Sequence, residues 1–378
     1  MFETLPLIMS LKNILNLTLP ELEIEIISFG EPKYRAKQIF TSLHKNNINI
    51  IGDLQGIPKS LKEKLSEKFF IAELRLLEES SSVSFNTKKF LFQTERTDKE
   101  YIFESVLISE KERNTICIST QIGCNVGCEF CATAKMGFIK NLEPAEIILQ
   151  VYEIIRITGI MPTNLVFMGM GEPFLNYGNL MKSLKILTNK DGLGISSKKI
   201  TVSTVGFTDK IKIFADDITS EENLNLRKIK LALSLHSTDN GFRESIIPTS
   251  SKNRLSDIYE ELVYFYRKTG SKITYEYIYF NGLNDSENDI KRLVKLARMV
   301  PSTINIIPFH PIDFKLNSPL DIFNKDKDLN NLLSNKNLFQ FIEKLKLSKV
   351  TVNLRSSSGV DINAACGQLA VIKSQVNN

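Results

Sequence analysis

The sequence predicts an α/β protein, a partial (β/α) barrel preceded by a small, mostly helical N-terminal domain. Three observations carry that expectation. Apolar runs at residues 164–170, 200–205, 229–236, 273–280, 304–309 and 350–354 alternate with amphipathic stretches such as 255–268 and 288–300. Strands that are apolar on both faces and separated by helix-length segments form a parallel sheet with helices outside it. The number of such units points to a (β/α) barrel that does not close. At 378 residues the chain also exceeds one average domain, so a second, smaller unit is expected beside the barrel.

Residues 1–85 read as the helical unit. Leu19-Pro20 marks a break, and Tyr34 to Phe40 with Leu43 places apolar residues at helical spacing. Residues 31–70 hold eight Lys/Arg against four Asp/Glu. That balance suits docking of RNA, and it equally suits a solvated helical face. From Ser81 the pattern alternates through Phe85, Phe90 and Phe92, then Tyr101 to Ile108 and Thr115 to Ser119, which predicts a short sheet leading onward. The expected division is therefore 1–85 helical, 86–114 a short β extension, and 115–378 the barrel. Pro144 opens a helix whose buried stripe is Ile147, Ile148, Val151, Ile154 and Ile155. Residues 216–222 are acidic and polar and read as a loop insertion.

Composition narrows the class of protein. No run of about eighteen apolar residues occurs, so no membrane span is expected. Met1 to Pro6 lacks a basic leader, which predicts no secretory signal and a cytoplasmic location. Five cysteines, three of them clustered, fit metal and thiol chemistry in a reducing compartment rather than a disulfide framework. The net charge of +5 permits a polyanionic partner without demanding one.

The three clustered cysteines, Cys124, Cys128 and Cys131, stand in the spacing C-x3-C-x2-C on a loop that carries Gly127. Structural zinc sites draw four ligands, and a closed iron–sulfur cluster needs four cysteines. Three thiolates with no fourth nearby suit a 4Fe–4S cluster with one iron left open. A zinc site completed by a remote residue such as His236 is the alternative. The spacing resembles the signature loop of the radical S-adenosylmethionine (SAM) superfamily, in which SAM chelates the open iron.

Functional residues of a (β/α) barrel collect where strands end. The cysteine loop follows the strand at 115–119. Gly169-Met170-Gly171-Glu172-Pro173 follows the next, where glycines let backbone approach a ligand and Glu172 can receive an ammonium. Alone such a turn is only a turn; one unit after a cysteine loop it resembles the methionine-binding motif of radical SAM barrels. Ser203-Thr204 lies on the third strand, Ser234-Leu235-His236 ends the fourth, and Pro308-Phe309-His310-Pro311 ends the sixth. Their hydroxyls and imidazoles suit a ribose, carboxylate or adenine, and also suit ordinary backbone capping. Cys117 and Cys366 remain. Each is by habit a buried small apolar residue, yet both are positioned to reach the barrel mouth.

The resemblance then becomes specific. The chain looks like the radical SAM dual-specificity methyltransferases that act on C2 of 23S rRNA adenosine 2503 and tRNA adenosine 37. It does so from about Tyr34 to Leu369, through Arg35-Ala36-Lys37-Gln38, Glu104, Ser119 to Cys124, Gly169 to Pro173, Ser234 to His236, Arg243 to Pro248 and Asp361 to Leu369. The resemblance implies a 4Fe–4S cluster and SAM held by Gly171, Glu172, Ser203, Ser234, Leu235 and His236. His310 stands where the family has Asn, and Ser358 and Val360 stand where its members carry more polar residues. It further implies that Cys366 is methylated on sulfur, that Cys117 is its partner thiol in a disulfide, and that Glu104 is the general base. Implied partners are 23S rRNA, tRNA and an electron donor such as flavodoxin, with the enzyme a monomer. Two alternatives stand beside this one: methylation at C8 of the same rRNA adenosine, and a non-catalytic RNA-binding protein with a structural metal.

Overall fold

The computed structural model describes residues 11–94, 101–324, 336–355 and 358–371. Three helices open the chain: α1 (Leu19–Ser28), α2 (Tyr34–His44) and α3 (Lys59–Lys68). Leu19-Pro20 starts α1 rather than breaking a helix. Thr18 and Glu21 form a reciprocal capping box, and Pro20 sits in the first turn, where no backbone N–H is missed. α2 buries Ala36, Ile39, Phe40 and Leu43, the face its spacing predicts.

Ten strands then form one continuous sheet in sequence order: β1 (Leu74–Ser81), β2 (Thr87–Thr94), β3 (Tyr101–Glu110), β4 (Arg113–Cys117), β5 (Asn164–Phe167), β6 (Ile200–Thr204), β7 (Lys230–Ser234), β8 (Ile273–Tyr279), β9 (Ser302–Pro308) and β10 (Val352–Leu354). β1 to β4 pair antiparallel, and every pairing from β4 to β10 is parallel. β1 and β10 form the two ends of the ladder, so the barrel is open as expected. Helices α4 (Pro144–Thr158), α5 (Tyr177–Thr188), α6 (Thr208–Thr219), α7 (Asn240–Ile246), α8 (Leu255–Thr269), α9 (Glu287–Ala297) and α10 (Lys336–Leu347) lie in the connections between parallel strands. Parallel neighbours need such crossovers, because a tight turn cannot return the chain to the same end of the sheet.

One apolar core runs from Leu22 and Phe40 through Phe90, Val151 and Leu233 to Phe341, joining the N-terminal helices to the barrel. At that junction the buried His44 places Nδ1 2.9 Å from the Tyr152 hydroxyl of α4. A second apolar cluster, including Val126, Phe130, Ile278, Phe280, Ile307 and Phe309, fills the end of the barrel where the parallel strands finish.

Three expectations change. The β extension is not a separate short sheet: β4 pairs with β3 on one side and β5 on the other, so extension and barrel share a single ladder. The helical region ends at Lys68, since residues 74–81 pair with β2 and form the sheet edge. Residues 216–222 are not a loop insertion. α6 runs to Thr219 because Ile211, Phe214, Ala215 and Ile218 keep one face buried, while Asp216 accepts from the Tyr264 hydroxyl and pairs with Lys268; a 3-10 turn, Glu221–Leu226, follows.

Gly206 joins β6 to α6 at φ +102°, and a Cβ there would lie 2.7 Å from Ile258 Cδ1. Gly206→Ala is expected to cost about 1–3 kcal/mol through strain and overpacking. Denaturant unfolding would register it as a lower midpoint at unchanged slope.

Candidate active site

The cysteine loop is built by backbone before it is built by sulfur. A short hairpin, Gln121–Gly123 with Phe138–Asn141, presents it. Gly123 has φ +71°, and a Cβ there would fall 1.7 Å from the Gly137 carbonyl oxygen. Only glycine fits. Cys124 N–H donates to that same carbonyl at 3.1 Å, and Glu129 N–H donates to the Ile246 carbonyl at the end of α7 at 2.9 Å. Cys128 is buried, and Cys124 and Cys131 are half-buried.

Burial pushes all three thiols up, Cys124 to about 12, and neighbouring sulfurs push Cys128 and Cys124 further. Three thiolates in so apolar a setting need a compensating cation, and soft sulfur donors suit iron. Among the described residues no three His, Cys, Asp or Glu side chains are gathered as one metal ion requires. Three soft thiolate donors on one loop fit a 4Fe–4S cluster with one iron left open.

The glycine turn is pressed against the approach to this loop. A Cβ on Gly169 would meet Ser119 Oγ at 2.6 Å, and one on Gly171, at φ +96°, would meet Gln121 Cβ at 2.4 Å. Thr120 and Gln121 N–H both donate to the Met170 carbonyl, at 2.9 and 3.1 Å. Glu172 is buried behind the turn. Its Oε1 accepts Phe174 N–H at 3.0 Å and its Oε2 accepts Val205 N–H at 2.9 Å. Desolvation pushes its carboxyl up to about 7 against those bonds. The carboxylate thus braces the next strand end, where the Thr204 hydroxyl bonds it as well.

Ser203 and Ser234 face each other on β6 and β7 with hydroxyl oxygens 3.3 Å apart. Leu235 and His236 N–H donate to the Glu276 carbonyl at 2.9 and 3.2 Å. His236 sits at φ +52°, with its ring edge-on to Phe130 at 4.8 Å. Its Nδ1 accepts Ile278 N–H, and burial depresses its pKa to about 3, so the ring is neutral with its proton on Nε2. His310, just past β9, is also buried and held near 4 by desolvation; its Nδ1 has no hydrogen-bond partner.

Glu104, on β3, is fully buried. Lys89 Nζ stands 2.9 Å from Oε1, and Ala370 N–H donates to Oε2 at 3.0 Å. Burial pushes this carboxyl up, with Lys89 opposing. Ala370 belongs to the strip that carries Cys366. That strip is fixed to the cysteine loop, since Ala132 N–H donates to the Gly367 carbonyl at 2.7 Å and Thr133 Oγ1 to the Leu369 carbonyl at 2.6 Å. The result places exposed Cys366 within electrostatic reach of Cys117, at the end of β4, and of Cys131. All five cysteines are free thiols, so the disulfide expected between Cys117 and Cys366 is not borne out.

Sequence reading missed two arginines. Arg243 was only part of a recognised motif, yet it is 1% exposed and donates to the carbonyls of Leu235 (3.0 Å), Val205 (2.5 Å) and Ser234 (3.2 Å) and to Ser250 Oγ (3.0 Å). Its place in the stretch Arg243 to Pro248, seven residues past the strand end at His236, was the available signal. Arg355, after β10, lies 4.0 Å from Cys366 Sγ through Nη2 and carried no signal beyond its place eleven residues upstream of Cys366.

An open parallel barrel with a three-cysteine loop after its first parallel strand and a glycine turn after its second defines a radical SAM enzyme. The family described as Radical SAM superfamily matches residues 118–296, and the family described as Ribosomal RNA large subunit methyltransferase N-terminal domain matches residues 12–71. A crystal structure of a radical SAM methyltransferase from Sphaerobacter thermophilus superposes with a TM-score of 0.80 at 32% identity, covering 94% of this chain and 98% of that one. The "Probable dual-specificity RNA methyltransferase RlmN" of Clostridium novyi (strain NT) is 38% identical over 359 residues, spanning 95% of this chain and 98% of its own. Its counterpart in Dictyoglomus turgidum is 38% identical over 365 residues, spanning 96% and 97%. The chain belongs to the RlmN family of radical SAM RNA methyltransferases.

Arg243→Met would leave three buried carbonyls and a hydroxyl without their donor. The expected loss is on the order of 3 kcal/mol or more, with Arg243→Lys recovering part of it. Equilibrium unfolding of the two variants beside the parent chain measures it.

Proposed function

We propose that this enzyme methylates C2 of adenine in RNA, at adenosine 2503 of 23S rRNA and adenosine 37 of tRNA, through a methyl group first carried on Cys366. The observation that supports it best is the single strip of backbone that holds Cys366 beside Cys117, the cysteine loop and Glu104 together. Adenine C2 lies between two ring nitrogens and is too electron-poor to attack a methyl donor, so a radical route is required. Cys124, Cys128 and Cys131 would hold the 4Fe–4S cluster. Gly171, Glu172, Ser203, Ser234, Leu235, His236 and His310 would line the SAM site. With an electron donor such as flavodoxin, the bound cluster and SAM would supply the radical chemistry that activates the methyl on Cys366.

The chain's residues do the rest. Cys366 presents the carbon to C2 and stays bonded to the RNA. Glu104, desolvated and with its charge balanced by Lys89, accepts the C2 proton as the adduct radical gives up one electron, which the oxidised cluster would take back. Cys117 then bonds to Cys366 Sγ, the Cys366 S–C bond breaks, and its electron pair passes to the methylene carbon, which takes a proton and becomes methyl. α2 and α3 carry the basic residues that would meet the RNA backbone, among them Arg35, Lys37, Lys59 and Lys62.

Nucleoside mass spectrometry of RNA incubated with the reconstituted protein, SAM and a reductant tests the reading. It expects 2-methyladenosine. 8-Methyladenosine would overturn the C2 assignment, and no methylation would overturn the function. Replacing Cys124, Cys128 or Cys131 by Ala should abolish the iron–sulfur spectrum and all product.

The two remaining cysteines should fail differently. Cys366→Ala should give neither product nor adduct, whereas Cys117→Ala should stall with RNA bonded to Cys366. If both were merely packed small residues, each would only destabilise, by about 1–2 kcal/mol. A denaturing gel with labelled RNA and peptide mapping separates these outcomes.

A further inference from the structure

The release step needs a good sulfur nucleophile, and Cys117 is a poor one by surroundings. Burial pushes its thiol up to about 12, which disfavours the thiolate at neutral pH. Lys89, the lysine beside Glu104, is committed to that carboxylate. Arg355 faces Glu276 and also acts on the sulfur pair. Its N–H donates to the Ile306 carbonyl at 2.9 Å, extending the parallel ladder one step past β10 and fixing its Cα. The side chain crosses the barrel mouth. Nε stands 3.9 Å from Glu276 Oε2 on β8, and Nη2 stands 4.0 Å from both Cys366 Sγ and Met168 Sδ. Met168, whose side-chain sulfur the guanidinium meets, directs its backbone N–H at the Cys117 thiol, and the Arg355 charge favours ionisation of that thiol. The Glu276 oxygen facing it has no hydrogen bond, while the other accepts Asn305 Nδ2 at 2.9 Å.

We infer that Arg355 is a positioning residue for product release, its guanidinium drawing the Cys117 thiolate into line with Cys366 Sγ. The inference rests on the S-methylcysteine reading above and adds to it a residue that controls one step. The titratable and charged groups acting on the sulfur pair are Arg355 after β10, Glu276 of β8 through Arg355, Cys131 of the cysteine loop, and the two thiols themselves. Glu276 works against the effect by holding part of the guanidinium's charge. Loss of Arg355 should slow release, and loss of the Glu276 charge should speed it.

Two measurements on the full-length reconstituted chain test this with Arg355→Met, Arg355→Lys and Glu276→Gln. The first is anaerobic alkylation of Cys117 by iodoacetamide, followed by peptide mapping across pH 7–10, an assay that needs no turnover. Arg355→Met should alkylate about tenfold more slowly at a given pH, its profile displaced upward by about one unit; Arg355→Lys should recover part, and Glu276→Gln should be faster than the parent. The second is single-turnover decay of the RNA adduct on a denaturing gel. Arg355→Met should accumulate adduct as Cys117→Ala does, with decay accelerating as pH rises. An Arg355→Met chain that matches the parent in both assays overturns the inference. If Arg355→Met fails to fold, Glu276→Gln decides: an unchanged or slower alkylation rate overturns it. A parent enzyme that forms no adduct with RNA removes the S-methylcysteine reading, while the alkylation arm still reports on Arg355.

Discussion

Everything at the barrel mouth depends on how residues 364–370 are pinned. Hydrogen bonds hold this strip, two from the cysteine loop through Ala132 and Thr133, one to Glu104 through Ala370, and one from Gln368 Nε2 to the Pro311 carbonyl. Glu104 comes from the antiparallel part of the sheet, the cysteine loop from the parallel part, and Cys366 from near the end of the chain. A shift of any one of them moves the other two. The strip therefore converts three distant stretches of sequence into one constellation through its own backbone groups, two of which meet side chains, Thr133 Oγ1 and Glu104 Oε2.

Charge balance explains why so many ionisable groups survive out of water here. Glu104, Glu172 and Glu276 bring buried carboxylates to the mouth, and Lys89, Arg243 and Arg355 bring the cations. Arg243 is the unusual member, because its hydrogen-bond partners are carbonyls and a hydroxyl rather than a carboxylate, and burial lowers its pKa to about 10. A guanidinium so placed is costly unless negative charge lies close by. The nearby Cys128 sulfur, whose ionisation Arg243 favours, supplies that charge when it is a metal-bound thiolate. The same arginine ties the ends of β6 and β7 together through Val205, Ser234 and Leu235, so the support for the cysteine loop and the support for the strand-end residues are one side chain.

What the sequence showed and what it hid divide along physical lines. The parallel strands were visible because strands buried on both faces are apolar runs, and their ends located Gly171, Ser203, Ser234 and His310 without any coordinates. The cysteine loop was visible because its donors are local. Residues 216–222 misled because polar composition outweighed the stripe of Ile211, Phe214 and Ile218 that keeps α6 helical to Thr219. The strand at 74–81 was hidden because an edge strand is half exposed and carries charge. Arg243 and Arg355 were hidden for a different reason. Their significance is wholly tertiary, since a buried cation reads in sequence like any surface cation.

The antiparallel strands β1 to β3 show why the barrel alone would not make this site. β3 contributes Glu104, and β2 contributes Lys89 to balance it. The turn between β1 and β2 reaches the chain's last described segment, where Asp361 accepts from Ser82 Oγ at 2.8 Å and from Val83 N–H at 2.9 Å. Gly359, at φ +82°, lies so near Thr87 on β2 that a Cβ would meet its Cγ2 at 2.8 Å. Ser358 and Val360 are both buried at this junction, where the Cys366 strip begins. The extension grips the strip at one end through Asp361 and at the other through Glu104, and Cys366 lies between the two grips. A sheet edge that the barrel leaves free has become the frame that sets the position of the reactive sulfur.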